Sequence, residues 1–346
     1  MTDNKIKVGV ITNAGGAHVG AYLQGLAASP ECEQVVLADA DGTWEKPARD
    51  ELGEKLTAVY RDYGEMLRRE QPQLALVTIE ARLAPPVIEA ALEQNCHVFA
   101  EKPSCVRVDD FARLVDLADR RHRYLMLALA NRTNPEMQAA RGLIAEGKIG
   151  RVFGVEAHII ADQTRLTSPD YHEKWYAQKS RAGGGHLIWL GIHWLDLTMY
   201  VTGSSIDRVS GFTANVGGQP LDVEDSAVAA LSYDGGFLGA ITSGYYLDRS
   251  YHSHIKVWGS DGWLLLEPIR DQPLRWYSNS GATDGEVVVW PGEKEPRGYT
   301  PFVRAAVAAV ADMTDPPISN ADSLRALRTV YAIYEAAETG RTVTLE

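Results

Sequence analysis

Cysteine is scarce in this sequence, and long apolar runs are absent. The chain has three cysteines among 346 residues, and neither this odd number nor their spacing predicts a disulfide framework or a cysteine-bound metal. The densest apolar run, YLMLALA at 124–130, is too short to cross a bilayer. The first residues show no charged leader followed by a long apolar stretch, which argues against a signal peptide. These absences favour a reduced, cytoplasmic setting without a membrane partner.

Excess positive charge is also absent. The formal net charge is −12, whereas nucleic acids and anionic membranes are bound through basic surfaces, so neither is expected as a partner. Hydrophobic residues make up 45% and charged residues 23% of the chain, which is typical of globular proteins. The length of 346 residues fits two domains better than one.

The first third of the chain alternates short apolar strands with helical patterns. Short β-branched runs separated by helices of this length predict parallel βαβ units with right-handed crossovers. Such units build a doubly wound sheet of the Rossmann type. The predicted strands are 7–12, 33–41, 74–79, 97–101 and 124–130, and the predicted helices lie near 17–28, 84–94 and 108–121.

The pattern changes after a helix predicted at 135–150. Longer alternating strands, separated by turns such as YDGG and GSDG, indicate a mostly antiparallel sheet. Two further helices are predicted near 301–313 and 321–339. We therefore predict a dinucleotide-binding domain at 1–130 and a second domain at 131–346. The strands predicted in the second domain are 151–161, 207–216, 224–234, 236–246, 253–260 and 262–268.

A turn of small residues, TNAGGAHVG at 12–20, follows the first predicted strand. A clean G-x-G-x-x-G is absent, because Thr12 and Ala14 stand at the usual first and second glycine positions. Small residues still let backbone N–H groups at a helix N-terminus approach a pyrophosphate. An ordinary βα turn is the alternative. The residues predicted to contact a dinucleotide here are Thr12, Asn13, Ala14, Gly15 and Gly16.

Asp39 ends the second predicted strand, about where a ribose-binding acid is expected after such a turn. A carboxylate at this position accepts hydrogen bonds from the ribose hydroxyls and repels a 2′-phosphate. No arginine or lysine follows it until Lys46. The sequence therefore predicts NAD in preference to NADP, with a solvent-facing turn aspartate as the alternative.

Three glycines lead directly into a helical pattern in GGGHLIWLGIHWLDL, residues 183–197. His186, Trp189, His193 and Asp196 recur at spacings of three, four and three. In a regular α-helix these four side chains share one face. We therefore expect a tight glycine turn, followed by a helix that presents an indole and imidazoles together.

HVFAEKPSC (97–105), together with the glycine-led segment, resembles the Gfo/Idh/MocA family of sugar and inositol oxidoreductases. The resemblance extends along the whole chain in family order, through segments 128–158, 223–245, 256–267 and 319–345. It implies an N-terminal Rossmann domain, and a C-terminal α/β domain whose large, open, mostly antiparallel sheet serves as the interface of a homodimer or homotetramer. It also implies an active site between the two domains.

The resemblance assigns roles to the motif residues. The Glu-Lys-Pro unit maps to Glu101 and Lys102, which are both predicted to bind the cofactor, and the lysine contacts the substrate hydroxyl and the nicotinamide ribose. The usual acid/base histidine maps to His193. Lys102 also ends a strand of a doubly wound sheet, which is where ligands bind. The alternative to a functional role is an ordinary surface lysine at a strand end. For His193 the alternative is a core histidine.

The sequence departs from the family pattern at two places. Trp189 replaces the usual Asp of the helix motif, and Ile79 and Glu80 replace the usual Thr-Pro. Since an indole cannot relay a proton, either Lys102 or His193 carries the proton transfer alone, or another residue such as His186 substitutes. Trp189 can stack on the C–H face of a sugar ring, with core packing as the alternative.

The complete prediction is an NAD-dependent oxidoreductase acting on a secondary hydroxyl of a sugar, glycoside or cyclitol. Two alternatives stay open: an NAD-retaining enzyme that cleaves glycosides through transient oxidation, elimination and reduction, and a dinucleotide-binding regulator without turnover. No metal site is predicted, since His186 and His193 lie two turns apart without a supporting cluster. The predicted catalytic residues are Lys102 and His193, and the predicted substrate-binding residues are Trp189, His186, Trp175, Arg165 and His158.

Overall fold

A computed structural model describes residues 4–345. Positions 1–3 and 346 lie outside the described residues. The predicted absence of a leader, the predicted start of the first domain at 1 and the predicted end of the second at 346 depend partly on these positions. Within 4–345, no helix combines the length and apolarity needed to cross a membrane. The described chain forms two compact units: one contains residues up to 133, 180–183 and 297–324, and the other contains 134–179, 184–296 and the remainder.

The first unit is built on a parallel sheet of six strands in the order β3-β2-β1-β4-β5-β6. The order reverses between β1 and β4, and the carboxyl ends of strands beside such a switch point form a ligand-binding crevice. Thr12, the last residue of β1, lies opposite Asp39 of β2 and Thr78 of β4. The strands are β1 (Ile6–Thr12), β2 (Cys32–Asp39), β3 (Leu56–Tyr60), β4 (Leu74–Thr78), β5 (His97–Ala100) and β6 (Leu125–Leu127).

Five helices connect these strands. The predicted strands and the helices that follow β1, β4 and β5 are confirmed, whereas β3 and the two helices beside it were not predicted. The sequences of these two helices, EKPARDEL and YGEMLRRE, are largely polar, and β3 (LTAVY) is only 5 residues long. The helices are α1 (Val19–Ala27), α2 (Glu45–Leu52), α3 (Tyr63–Glu70), α4 (Ala84–Glu93) and α5 (Val108–Arg120).

The second unit is built on a nine-stranded sheet in the order β14-β13-β12-β11-β7-β10-β9-β8-β15. Strands β7 and β10 pair in parallel, and the other neighbouring strands pair antiparallel, so the predicted mostly antiparallel sheet is confirmed. The strands are β7 (Val152–Asp162), β8 (Ile206–Ala214), β9 (Ser226–Tyr233), β10 (Leu238–Leu247), β11 (His252–Gly259), β12 (Gly262–Leu266), β13 (Leu274–Ser278), β14 (Val288–Val289) and β15 (Val343–Thr344).

The two faces of this sheet differ. Along β7, Val155, Ala157 and Ile159 are buried, whereas Glu156 and His158 on the other face are partly exposed. Helices lie against the buried face, whereas the opposite face, which carries the exposed Phe212, Val228 and Leu238, is called the open face. The remaining helices of the chain are α6 (Pro135–Ala145), α7 (Pro169–His172), α8 (Lys179–Ala182), α9 (Ile192–Thr202), α10 (Tyr299–Asp312) and α11 (Asn320–Thr339).

Helix α10 belongs to the first unit although it lies near the end of the chain. It packs on α1, where the Cα of Gly25 approaches Val303 so closely that a side chain at position 25 would overlap it. Phe302 also packs edge-on against Phe99 of β5 at a ring distance of 5.6 Å. The first unit is therefore completed by residues far from it in sequence.

Candidate active site

The turn after β1 is held by its own polar groups. Asn13 accepts from the backbone N–H of Gly15 through Oδ1 at 2.8 Å and from that of Gly16 through its carbonyl at 2.9 Å. A Cβ at Gly16 would overlap the Thr12 hydroxyl and the carbonyl of Thr78, so only glycine fits there. The turn delivers the first N–H groups of α1, which have no partner within the helix, to the carboxyl end of the sheet.

Asp39 is fully buried at the end of β2, so the alternative of a solvent-facing turn residue is wrong. Its Oδ2 accepts from the N–H groups of Trp44 at 2.7 Å and Glu45 at 3.1 Å, which begins α2. Its Oδ1 is buried and has no hydrogen-bond partner among the described residues. A buried carboxylate oxygen without a partner fits the ribose hydroxyl of a dinucleotide.

Trp44 is a residue of this site that sequence reasoning missed. Its indole Nε1 donates to the carbonyl of Asn13 at 3.0 Å, so the ring lies against the predicted pyrophosphate turn. Asp41 closes the same turn by accepting from the N–H of Ala14 at 2.7 Å. The sequence places both residues just after the ribose acid, but nothing in their local pattern predicts these contacts.

Lys102 is 1% exposed and Glu101 is 2% exposed, directly after β5, so Lys102 is not the surface lysine of the alternative interpretation. Its Nζ lies 4.0 Å from Glu101 Oε1. Burial lowers the pKa of Lys102 to about 8, against the opposing effect of the Glu101 carboxylate. The ammonium group can therefore lose its proton close to neutrality.

His18 and Tyr299 extend this group, and sequence reasoning missed both. His18 Nδ1 lies 3.2 Å from the Glu101 oxygen that faces Lys102. The His18 ring packs on Tyr299 of α10 at 4.5 Å. Burial, with the Glu101 charge as a second cause, raises the pKa of Tyr299 well above its usual value. His18, Glu101 and Lys102 thus form a connected polar group at the carboxyl end of the parallel sheet.

Glu80, one of the two departures from the family pattern, has a structural partner. Its carboxylate, 5% exposed, binds the guanidinium of Arg181 in a two-pronged pair, with Nε to Oε1 at 2.8 Å. The N–H of Arg82 also donates to the Arg181 carbonyl at 3.2 Å. Glu80 therefore fixes the short segment that precedes the three glycines.

Each of the three glycines meets a different constraint. Gly183 has a φ of +86°, which favours glycine. A Cβ at Gly184 would overlap the Tyr334 hydroxyl, and one at Gly185 would overlap the Glu224 carbonyl. The expected tight turn is thus present, and close backbone approach explains two of its three glycines.

The segment after the glycines is not the regular α-helix that the spacing predicts. Residues 187–191 form a π turn, and α9 begins at Ile192. A π turn takes one more residue per turn than an α-helix and recurs at functional sites. The expectation that His186, Trp189, His193 and Asp196 share one helical face is therefore wrong, because the π turn shifts the register between them.

Glu224 holds the start of this segment, and sequence reasoning missed it. Its Oε2 accepts from the N–H of Gly185 at 2.7 Å, and Oε1 accepts from that of Leu187 at 2.9 Å. The Tyr334 hydroxyl donates to Oε1 at 2.8 Å. Burial raises the pKa of Glu224, and these donors oppose the rise. The carboxylate takes the place of a helix cap, from 39 residues away along the chain.

Trp189 lies in an aromatic cluster with Trp175 and Tyr176. Its ring is 5.5 Å from that of Trp175, in an edge-on arrangement, and 5.2 Å from that of Tyr176. Trp175 is buried, whereas Trp189 and Tyr176 are partly exposed. The structure therefore brings the predicted substrate-binding residues Trp175 and Trp189 together.

His186 is fully buried. Its Nδ1 lies 2.7 Å from Ser243 Oγ, and its ring meets Tyr245 edge-on at 4.3 Å. The Arg165 guanidinium lies over the ring of this Tyr245, 5.3 Å from the ring centroid. Burial, followed by the charge of Arg165, lowers the pKa of His186 to about 3, so its imidazole is neutral.

His193 and Asp196 are both buried on α9, at 6% and 1% exposure. His158 lies elsewhere: it occupies the open face of the sheet, beside Glu156 and opposite His254. The structure therefore does not bring His158 together with the other residues predicted to bind substrate.

The first unit has the features of a dinucleotide-binding Rossmann fold, with a buried lysine at the end of β5. These features define the class of NAD(P)-dependent oxidoreductases. The models of two family domains match the chain: residues 6–129 match the oxidoreductase family with an NAD-binding Rossmann fold, and residues 137–265 match the GFO/IDH/MocA C-terminal domain. The protein belongs to the Gfo/Idh/MocA family and is an oxidoreductase that acts on CH–OH groups.

Characterised relatives match over most of their length. The chain is 26% identical to D-xylose 1-dehydrogenase (NADP(+)) 2 of Haloferax volcanii, covering 97% of this chain and 99% of the relative. It is 24% identical to myo-inositol 2-dehydrogenase of Thermotoga maritima, covering 86% and 87%. The structure of levoglucosan dehydrogenase in complex with NADH and levoglucosan superposes with a TM-score of 0.86 at 20% identity, covering 98% and 99%.

The contacts of Glu224 lead to a prediction about stability. Glu224→Gln replaces an accepting oxygen with an amide that faces backbone N–H donors, so we expect the free energy of unfolding to fall by roughly 1–3 kcal/mol. Urea denaturation measures this change. Glu286→Gln, at an exposed position, is the matched control and should leave the unfolding midpoint unchanged. Equal stability of the two variants would show that the carboxylate does not hold the segment.

Proposed function

We propose that this enzyme uses NAD to oxidise a secondary hydroxyl of a sugar, glycoside or cyclitol. The relatives are named for D-xylose and myo-inositol, and the superposed structure for levoglucosan; all three compounds are polyols or sugars that carry several secondary hydroxyl groups. The observation that carries the proposal is the buried Lys102, whose pKa is lowered to about 8, at the ligand-binding edge of a Rossmann sheet.

Lys102 acts in this proposal as the proton acceptor. NAD, when bound, supplies the acceptor for the carbinol hydride and its two electrons. The hydroxyl proton passes to the neutral amine of Lys102, and the carbinol becomes a carbonyl. Glu101, 4.0 Å away, favours the ammonium form that results. A base with a pKa near the working pH suits this transfer.

His193 is proposed as the second catalytic residue, which binds the reacting oxygen. The family's usual aspartate is absent at Trp189, so His193 works without that partner. His186 does not replace it, since its imidazole is fully buried and held by Ser243 at 2.7 Å. We assign His186 to positioning the π turn, and the proton transfer to Lys102.

The aromatic cluster is proposed to bind the substrate ring. Trp189 and Tyr176 keep part of their surfaces exposed, and indole faces pack well on the C–H surfaces of sugars. Arg165 lies close to Tyr245 and donates to the Tyr251 hydroxyl at 2.7 Å. Its remaining N–H groups are suited to hydroxyl recognition. His158 is not included in this pocket.

The preference for NAD over NADP rests on the negative charges around the ribose position. Asp39 is accompanied by Asp41 and Glu45, which lie within the same turn. Of the nearby cations, Arg61 pairs with Glu45 at 2.7 Å and donates to the Asp39 carbonyl at 3.0 Å, and Arg49 also pairs with Glu45 at 3.1 Å. A 2′-phosphate would meet several carboxylates and arginines that are already paired, which disfavours NADP.

We further propose that the second unit, which comprises most of the predicted domain 131–346 but not 180–183 and 297–324, supplies the substrate-binding and oligomerisation domain, in a homodimer or homotetramer. The open face of the nine-stranded sheet supports this proposal, because Phe212 is 81%, Leu238 68% and Val228 49% exposed. Apolar patches of this kind mark association surfaces. Three buried free cysteines fit the proposed reduced cytoplasm. A monomer in light scattering at micromolar concentration would exclude the assembly.

The proposed base leads to a pH-dependent prediction. Lys102 becomes neutral as the pH rises through about 8, so kcat/KM for oxidation should rise to a plateau above this value. Lys102→Met and Lys102→Arg should lower kcat roughly 10²–10⁴-fold, because neither side chain can accept a proton. NADH absorbance across a panel of sugars, cyclitols and glycosides measures both effects.

The control for this experiment is Lys148→Met, which changes a partly exposed lysine and should retain full activity. Intrinsic fluorescence quenching should show that the Lys102 variants still bind NAD. Full turnover in Lys102→Met would remove this residue from the mechanism. Glycoside cleavage without net NADH would instead favour the cofactor-retaining alternative.

Asp39 leads to a prediction about cofactor choice. Asp39→Asn keeps the side-chain shape and one accepting oxygen but removes the charge. We expect the ratio of kcat/KM for NAD to that for NADP to fall at least about tenfold, the equivalent of one charge-assisted hydrogen bond. Asp50→Asn, at an exposed ion pair with Lys46, is the control. An unchanged ratio would mean that Asp39 serves only to begin α2.

A further inference from the structure

Two histidines and a glutamate meet on the open face of the nine-stranded sheet. His158 of β7 lies directly opposite His254 of β11 in the antiparallel register. Glu156 precedes His158 by two residues and therefore points to the same face. All three side chains are partly exposed, with relative side-chain accessibilities of 28% for His158, 19% for His254 and 40% for Glu156. In the single chain a small ion can reach them from solvent, before the proposed self-association covers this face of the sheet.

The ligand atoms of these three residues converge. His158 Nε2 lies 2.6 Å and His254 Nε2 lies 3.6 Å from the same oxygen, Glu156 Oε1. One nitrogen or oxygen atom from each side chain lies within 4.8 Å of the other two. The imidazole rings are stacked at 4.5 Å with an interplanar angle of 17°. Such separations allow one ion to contact all three residues at about 2.0–2.2 Å after small side-chain rotations.

An ordinary hydrogen-bonded pair explains only part of this arrangement. Glu156 and His158 form such a pair, but the 3.6 Å between Glu156 and His254 is beyond hydrogen-bond distance. His254 nevertheless turns its Nε2 toward the same oxygen. The competing cation, Lys256, stands opposite Glu156 in the register, yet its Nζ lies 3.8 Å from the centre of the Trp263 ring. That contact draws the ammonium toward β12.

The donor set identifies the kind of ion. Two imidazole nitrogens and one carboxylate oxygen suit zinc and neighbouring transition metals, whereas calcium and magnesium prefer oxygen ligands alone. Three protein ligands also leave a coordination position for water or another group. We propose that Glu156, His158 and His254 form a binding site for a divalent transition-metal ion of the Zn²⁺ class on the open face of the sheet.

Metal titration of the full-length protein tests the proposal. The protein is treated with EDTA, dialysed, and titrated with Zn²⁺ alone in competition with a chromogenic chelator. We expect one Zn²⁺ per chain at this site. His158→Ala, His254→Ala and Glu156→Gln should each weaken binding at least about tenfold. His122→Ala, an exposed histidine of the first unit, is the control and should bind as the wild type does.

A second measurement does not depend on the stability of the variants. Co²⁺ added to the wild-type protein should give visible absorption bands of a nitrogen- and oxygen-ligated site, and equimolar Zn²⁺ should abolish them. The absence of saturable binding in the wild type, or undiminished binding in all three variants, would overturn the proposal. Light scattering on the same samples separates this result from the proposed self-association, and NADH formation separates it from the proposed oxidoreductase chemistry.

Discussion

The burial of one lysine at the end of a parallel strand is the constraint on which the proposed chemistry depends. Taking an ammonium out of water disfavours its charged form, and the Glu101 carboxylate at 4.0 Å does not reverse this, since the pKa of Lys102 stays lowered, at about 8. The same carboxylate is held by His18, which itself packs on Tyr299. The surroundings of the amine are therefore built from three distant parts of the chain.

The candidate site residues of the second unit, Trp189 and His186, are positioned in a different way. There the backbone is held by a carboxylate, because Glu224 accepts from two N–H groups at the start of the glycine-led segment. The π turn that follows changes the direction in which Trp189 and His186 point. Trp189, an indole where the family motif usually has an aspartate, joins an aromatic cluster, whereas His186 is buried and neutral.

The sequence predicts the sheets better than it predicts the sites. Apolar β-branched runs identify most strands, and chain order places Asp39 and Lys102 at strand ends. The polar α3 (YGEMLRRE) gives no such signal. The π turn has no local signature either, since its residues have the spacing of an α-helix. The partners Glu224, Tyr299 and His254 come from other parts of the chain, so only the folded chain brings them to the residues that they contact.

The membership of α10 in the first unit has a consequence for biosynthesis. Residues 297–324 complete the packing around α1 and β5, yet they are translated after the whole nine-stranded sheet except its last short strand. The nascent N-terminal part of the first unit, which ends at Thr133, thus leaves the ribosome with the apolar surface of α1 and Phe99 uncovered. This surface stays uncovered until nearly the entire polypeptide has been synthesised. A fragment ending near residue 133 therefore lacks the helix that shields it.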